Sequence, residues 1–218
     1  GLKDVRLDAE ALLSEVVFGH GHLHYGDWDE GPPPAATLQA VGEAQSRYTE
    51  RLLAAIPEGV QTVLDVGSGT GSNARVLMDH GYRVHCVCPS PRLNRIARRR
   101  LPADTPIFEC PLEAFQAGRR YDLVLFCESF HYTRADRALE RVLEHGAGYL
   151  LIFDYFRRRD SADLRRASHG QLLDLLRGPY AQGFEVLQDE DVSANIAPTL
   201  LVLDAIANTS LRPFVHQA

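Results

Sequence analysis

Lysine is nearly absent from this chain: arginine outnumbers it 22 to one, a bias that points to genome composition rather than to function. A basic excess is missing too. The net charge is −6 at neutral pH, which argues against nucleic acid as a partner, because neutralising phosphates needs a basic face. No run approaches the ~20 apolar residues of a membrane span, and no signal peptide is visible. Cysteine is scarce, four in 218 residues, without the spacing of a disulfide framework, so free thiols in a reducing, cytoplasmic setting are expected. Internal repeats, low-complexity stretches and linkers are likewise missing. The length suits one well-buried α/β domain over residues 1–218 and is too short for two of ordinary size.

What is present centres on TVLDVGSGTGSNARVL, from Thr62 to Leu77. Val63, Leu64 and Val66 are apolar, with β-branched members, as a central parallel strand requires. Gly67, Ser68, Gly69, Thr70 and Gly71 let the backbone turn sharply and approach a ligand without a Cβ in the way. The helix that follows offers free N–H groups and a positive dipole end. Asp65 stands at the carboxyl end of the strand, where open α/β sheets bind ligands. This pattern predicts a small-molecule cofactor site. A dinucleotide fingerprint wants G-x-G-x-x-G, and here the third glycine falls one residue early.

Taken in order, RLDAEALLSEVVF (6–18) predicts a first helix. In the loop after it, His20, His22 and His24 alternate, but no carboxylate or cysteine stands at a ligand spacing, so no metal site is read. Residues 35–56 predict an amphipathic helix stopped by Pro57 and Gly59. The helix after the glycine turn is expected to run to about His80, with Gly81 as its C-cap. Strands are predicted at 82–88, 107–115, 121–132 and 148–156. PRLNRIARRR, with five arginines in nine residues after Pro91, reads as a solvated helix face. RADRALERVLEHG and RRRDSADLRRASHGQLLDLLRG predict two further helices. The fourth strand closes on Cys127, Glu128, Ser129, Phe130 and His131, and Asp154 ends the fifth, so both ends face the crevice.

The run VLDVGSGTG closely resembles the first motif of class I S-adenosylmethionine-dependent methyltransferases. HYGDW (24–28) resembles the N-terminal arm of small-molecule members related to the tocopherol and sarcosine enzymes, and the close of the fourth strand resembles the ESLHH segment of sugar O-methyltransferases. The resemblance implies a Rossmann-like α/β fold, a predominantly parallel sheet with helices on both faces, and residues 1–56 as a helical arm and lid. It implies methyl transfer from S-adenosylmethionine to a small-molecule acceptor, through oxygen or nitrogen. Cofactor contacts would come from Tyr25 as lid residue, Asp65, Gly67, Ser68, Gly69, Cys88, Pro89, Cys110, Leu112 and Cys127. His131 would be the general base, with Asp154 orienting it or binding the acceptor.

Three departures keep other readings open. An acid about 20 residues past the first glycine normally grips the ribose hydroxyls, and that place holds Cys88, within a CPSPRL run similar to the family's DxSxxxL. The aspartate that bonds adenine in the family's GDAEEL run is replaced by Cys110, leaving backbone groups from Cys110 to Leu112. GFEV…DEDVSANIAPT resembles the sixth strand and its following loop, but no seventh strand is evident. Either a partner chain, a second copy included, covers that sheet edge or a C-terminal piece lies outside this sequence. A catalytically silent binding protein and a non-methylating enzyme on the same fold are the alternatives.

Overall fold

The computed structural model describes residues 24–28, 31, 37–116, 118–145, 148–157, 160, 164 and 167–210, of which 206–210 by backbone alone. The helix expected over residues 6–18, together with His20 and His22, lies outside them. In chain order the elements are α1 (Leu38–Ala54), β1 (Thr62–Val66), α2 (Ser72–Asp79), β2 (Arg83–Val87), α3 (Pro91–Arg100), β3 (Ile107–Phe108), β4 (Leu123–Cys127), α4 (Ala135–Glu144), β5 (Tyr149–Phe153), α5 (His169–Arg177), α6 (Ser193–Ile196) and α7 (Pro198–Ser210). The chain divides into two compact units, Gly1–Ala54 with Glu190–Ala218, and Ala55–Asp189.

In the first unit, α1 buries Val41, Ala44, Tyr48 and Leu52, the i, i+3, i+4 spacing of one helix face. Trp28, Val41, Ala44 and Val202 form its apolar cluster. Thr199 ties the HYGDW segment down: its hydroxyl accepts from Trp28 Nε1 at 2.8 Å and from Gly26 N–H at 3.0 Å. Buried Asp27 accepts from Arg51 Nε at 2.5 Å and from Asn195 Nδ2 at 3.1 Å. His24 stacks on Tyr48 at 4.4 Å, and its Nε2 meets the Thr49 hydroxyl at 3.3 Å. A packed, bonded imidazole is the role this histidine has.

The second unit is a five-stranded, all-parallel sheet in the order β3-β2-β1-β4-β5. β1 is buried throughout and β4 nearly so, as their continuous apolar runs require of strands covered on both faces. Asp122 registers the entry of β1 beside β4, its Oδ2 accepting from the backbone N–H groups of Gln61 and Thr62 and from the Thr62 hydroxyl. Those bonds hold its carboxyl below the usual carboxylate range. α4 closes one face by burying Ala135, Ala138, Leu139 and Val142. Burying a Leu or Val side chain this way is worth about 1.5–3 kcal/mol.

Five expected elements are shorter or missing, among them the fifth strand, which ends at Phe153. The third strand is two residues long, because Pro111 has no N–H to continue a ladder and Leu112–Ala114 winds into a 3-10 turn. The fourth stops at Cys127, because Glu128 adopts a left-handed φ of 50° and Phe130–Tyr132 forms another 3-10 turn. Of the helix expected from Arg157, the described part is His169–Arg177, where Ser168 and Gln171 close a capping box. The sixth strand is not formed: residues 184–192 have no regular structure. Four acids among residues 185–191 deny that run the apolar continuity a buried parallel strand needs.

Candidate functional site

All the expected residues of the second unit gather at the carboxyl ends of the strands. The turn after β1 carries Gly67, Gly69 and Gly71 at φ 76°, 56° and 76°, a region that L side chains rarely adopt. Two of these glycines are also required by packing. A Cβ on Gly67 would lie 2.4 Å from Ser129 Cβ, and one on Gly71 3.0 Å from Leu101 Cδ1. Gly67 N–H donates to the Val87 carbonyl at 2.7 Å, and the Ser68 carbonyl accepts from Gly71 N–H at 2.9 Å. The turn is therefore clamped between β2, the loop after β4, and Leu101 just past α3.

Beside it lies Asp65, 2% exposed, its Oδ2 without a hydrogen-bond partner. Burial pushes its carboxyl pKa up to about 7. Asn73 Oδ1, in the first turn of α2, is a second buried acceptor without a partner. Buried acceptors of this kind cost free energy unless a ligand completes them. Arg100 from α3 reaches back to the turn, donating to the Thr70 carbonyl at 3.0 Å, the Thr70 hydroxyl at 2.8 Å and the Ser72 hydroxyl. The arginine-rich helix face thus turns one residue inward.

Cys88 is 3% exposed at the end of β2. Burial raises its thiol pKa, the amides of Ser90 and Gly69 oppose that rise, and the carboxylates of Asp65 and Glu109 add to it. Pro89 is exposed and Cys110 half-buried. The Leu112 side chain points into the hydrophobic core, so the site has at most its backbone. Cys127 is half-buried at the end of β4. Tyr25 belongs to the first unit, where its carbonyl meets His24 Nδ1 at 2.7 Å.

On the other side of β1 the structure brings His131 and Asp154 together. His131 Nδ1 lies 2.8 Å from Asp154 Oδ1, and its backbone N–H donates to Oδ2 at 3.2 Å. Tyr155 N–H also donates to Oδ1 at 2.8 Å. A carboxylate only accepts, so Nδ1 carries the proton and Nε2 presents a lone pair. That lone pair meets the Tyr155 hydroxyl at 2.8 Å. His131 is 6% exposed and the Asp154 side chain 0%, while Tyr155 is 50% exposed. The left-handed Glu128 makes this possible by turning β4 sharply, so that Ser129 Oγ donates to the Val66 carbonyl at 2.5 Å.

Sequence reasoning missed Tyr155, Arg100 and Glu109, and named Ser129 only within the close of the fourth strand. Only Tyr155 left a signal, as the neighbour of Asp154 at a strand end. The others act through contacts between separate elements, which spacing does not reveal.

Comparison with known proteins agrees with this geometry. A family model described as a methyltransferase domain matches residues 63–150, which takes in β1 from Val63, the glycine turn and β2 to β4. The chain is 28% identical over 163 residues, 72% of each protein, to the uncharacterised methyltransferase YrrT of Bacillus subtilis. Among solved structures, the cyclase SpnF superposes with a TM-score of 0.73 at 22% identity, covering 94% of this chain and 81% of that one. Geranyl diphosphate C-methyltransferase from Streptomyces coelicolor gives 0.68 at 16% identity, covering 90% and 82%. At such identities the structural likeness shows the fold.

Proposed function

We propose that this chain is a class I S-adenosylmethionine-dependent methyltransferase acting on a small molecule, and that His131, held by Asp154, takes up the acceptor's proton through the hydroxyl of Tyr155. The residues present fit the cofactor. The buried oxygens without partners, Asp65 Oδ2 and Asn73 Oδ1, are acceptors, as a ligand bearing an ammonium and a sulfonium requires. When bound, S-adenosylmethionine supplies an electrophilic methyl carbon. The turn at Gly67 and Gly69, with Asp65, would hold it.

The observation that carries the reading is the chain of bonds from Asp154 through His131 to Tyr155, buried at one end and half-exposed at the other. As an acceptor hydroxyl or amine attacks, its proton passes to the Tyr155 oxygen while the phenolic proton moves to His131 Nε2. The Asp154 carboxylate then faces a cationic ring, which it stabilises. Acid–base assistance of this kind contributes about 10²–10⁴-fold.

A metabolite screen with labelled S-adenosylmethionine finds the acceptor. His131→Ala is then expected to cut turnover by about 10²–10⁴-fold and to leave cofactor affinity unchanged, with Tyr155→Phe falling between it and wild type. Full activity in His131→Ala would remove the base assignment and favour an acceptor that needs no deprotonation. All four cysteines are free thiols, which supports a reducing, cytoplasmic setting. The outer edge of β5 has no strand partner among the described residues, which supports a second copy adding there. A monomer mass by light scattering would rule that out.

A further inference from the structure

The pairing of β2 with β3 ends just before two positions that matter for the cofactor. Val87 pairs with Phe108 in parallel, and Cys88 N–H donates to the Phe108 carbonyl at 3.0 Å. Cys88 and Glu109 therefore leave the ladder side by side at its carboxyl end. A nucleotide's ribose hydroxyls are held in such sheets by an acid at the end of the second strand. Here that place holds a buried thiol, which cannot accept from two hydroxyls as a carboxylate does.

Two carboxylates act on that thiol, Asp65 and Glu109. Asp65 is buried beneath the turn, whereas Glu109 is exposed. Asn94, 1% exposed on α3, donates through Nδ2 to the Cys88 carbonyl at 3.0 Å and to Glu109 Oε2 at 3.2 Å. One side-chain amide thus braces both the strand end and the carboxylate, and Glu109 Oε1 takes no part in that bond.

We propose that Glu109, standing beside Cys88 at the carboxyl end of β3 and braced by Asn94, supplies the ribose-binding carboxylate that β2 lacks. The acid has moved one strand over, at the same level of the sheet. This rests on S-adenosylmethionine as cofactor and goes beyond it by naming the residue that reads the diol.

Calorimetric titration of the full chain with S-adenosylhomocysteine and with its 2′-deoxy analogue tests the assignment without any turnover. In wild type, loss of the 2′-hydroxyl is expected to weaken binding about tenfold or more, the size of one charged hydrogen bond. Glu109→Gln should weaken S-adenosylhomocysteine by about tenfold and shrink the 2′-deoxy penalty to within about twofold. Cys88→Asp added to Glu109→Gln should bring the penalty back. Affinity within about twofold of wild type in Glu109→Gln would overturn the proposal, as would an equal loss for both ligands. Absence of any binding by wild type would overturn the cofactor premise as well, and it would appear before any variant is made.

Discussion

At the carboxyl ends of the strands, the two halves of the sheet treat their polar groups in opposite ways. On the β1–β2–β3 side, Asp65 Oδ2, Asn73 Oδ1 and Asn94 Oδ1 are buried without partners. On the β4–β5 side, Asp154 accepts three hydrogen bonds and both His131 nitrogens are engaged. Unmet acceptors suit a ligand's donors, since a buried acceptor left unmet costs free energy. A fully bonded set marks a group held in one tautomer and one orientation before the acceptor arrives. On the function proposed above, one half takes the cofactor's donors and the other transfers the acceptor's proton.

The largest expected effect that sharpens this contrast is the pH response of Asp65. Its folded-state pKa is raised from 3.8 to about 7 by burial, so the folded chain holds the proton more tightly than the unfolded one. The stability this contributes is full below pH 4 and is lost as pH rises through 7. A rise of that size corresponds to about 4 kcal/mol. Asp65→Asn should therefore flatten the fall in urea stability between pH 4 and 7 and be the more stable protein at pH 8, while binding S-adenosylmethionine more weakly. A wild-type stability that does not fall across that range would remove the unmet carboxyl from the comparison.

Next in size is Gly67→Ala. The left-handed φ and the overlap with Ser129 together are expected to cost about 3 kcal/mol in denaturant titration. Ser129→Gly in the same chain should recover the overlap share and leave the φ share. An additive pair would mean that the turn is not clamped by the loop after β4.

On the bonded side, Asp154→Asn puts an NH₂ group where the carboxylate accepts from backbone donors. A loss of about 2 kcal/mol of stability is expected, accompanied by lower turnover at unchanged cofactor affinity. Lower cofactor affinity with intact turnover would reverse the division between the halves. Smallest is Cys88→Asp alone. With Glu109 already supplying an acid, S-adenosylhomocysteine affinity should move by less than about threefold, well under 1 kcal/mol.

Much of the fold and part of the site were legible in the sequence. The β1 strand, the glycine turn and the α2 helix stand where the apolar run and the glycine spacing put them. Val63, Leu64 and Val66 form the buried strand expected, while the helix ends at Asp79 with His80 as its C-cap, and Gly81, the expected cap, is left-handed one residue past it. His131 and Asp154 were visible as residues at strand ends, which parallel topology sends to one edge of the sheet. The third, fourth and fifth strands were read too long because apolar runs continue past the point where pairing stops. Pro111 and the turn at Glu128 end the third and fourth, and these are local backbone events. The sixth strand was read from likeness, and its acids prevented it.

What the sequence determined by itself is therefore the order of elements, the cofactor turn and the identity of the groups at the strand ends, because these depend on residues close together in the chain. Only the tertiary structure decided which groups bond to one another. It placed Tyr155 on His131, Glu109 beside Cys88, Arg100 on the turn and Ser129 under Gly67. Each of these joins residues from separate elements, whose approach is set by the sheet register and by how tightly neighbouring strands and helices pack.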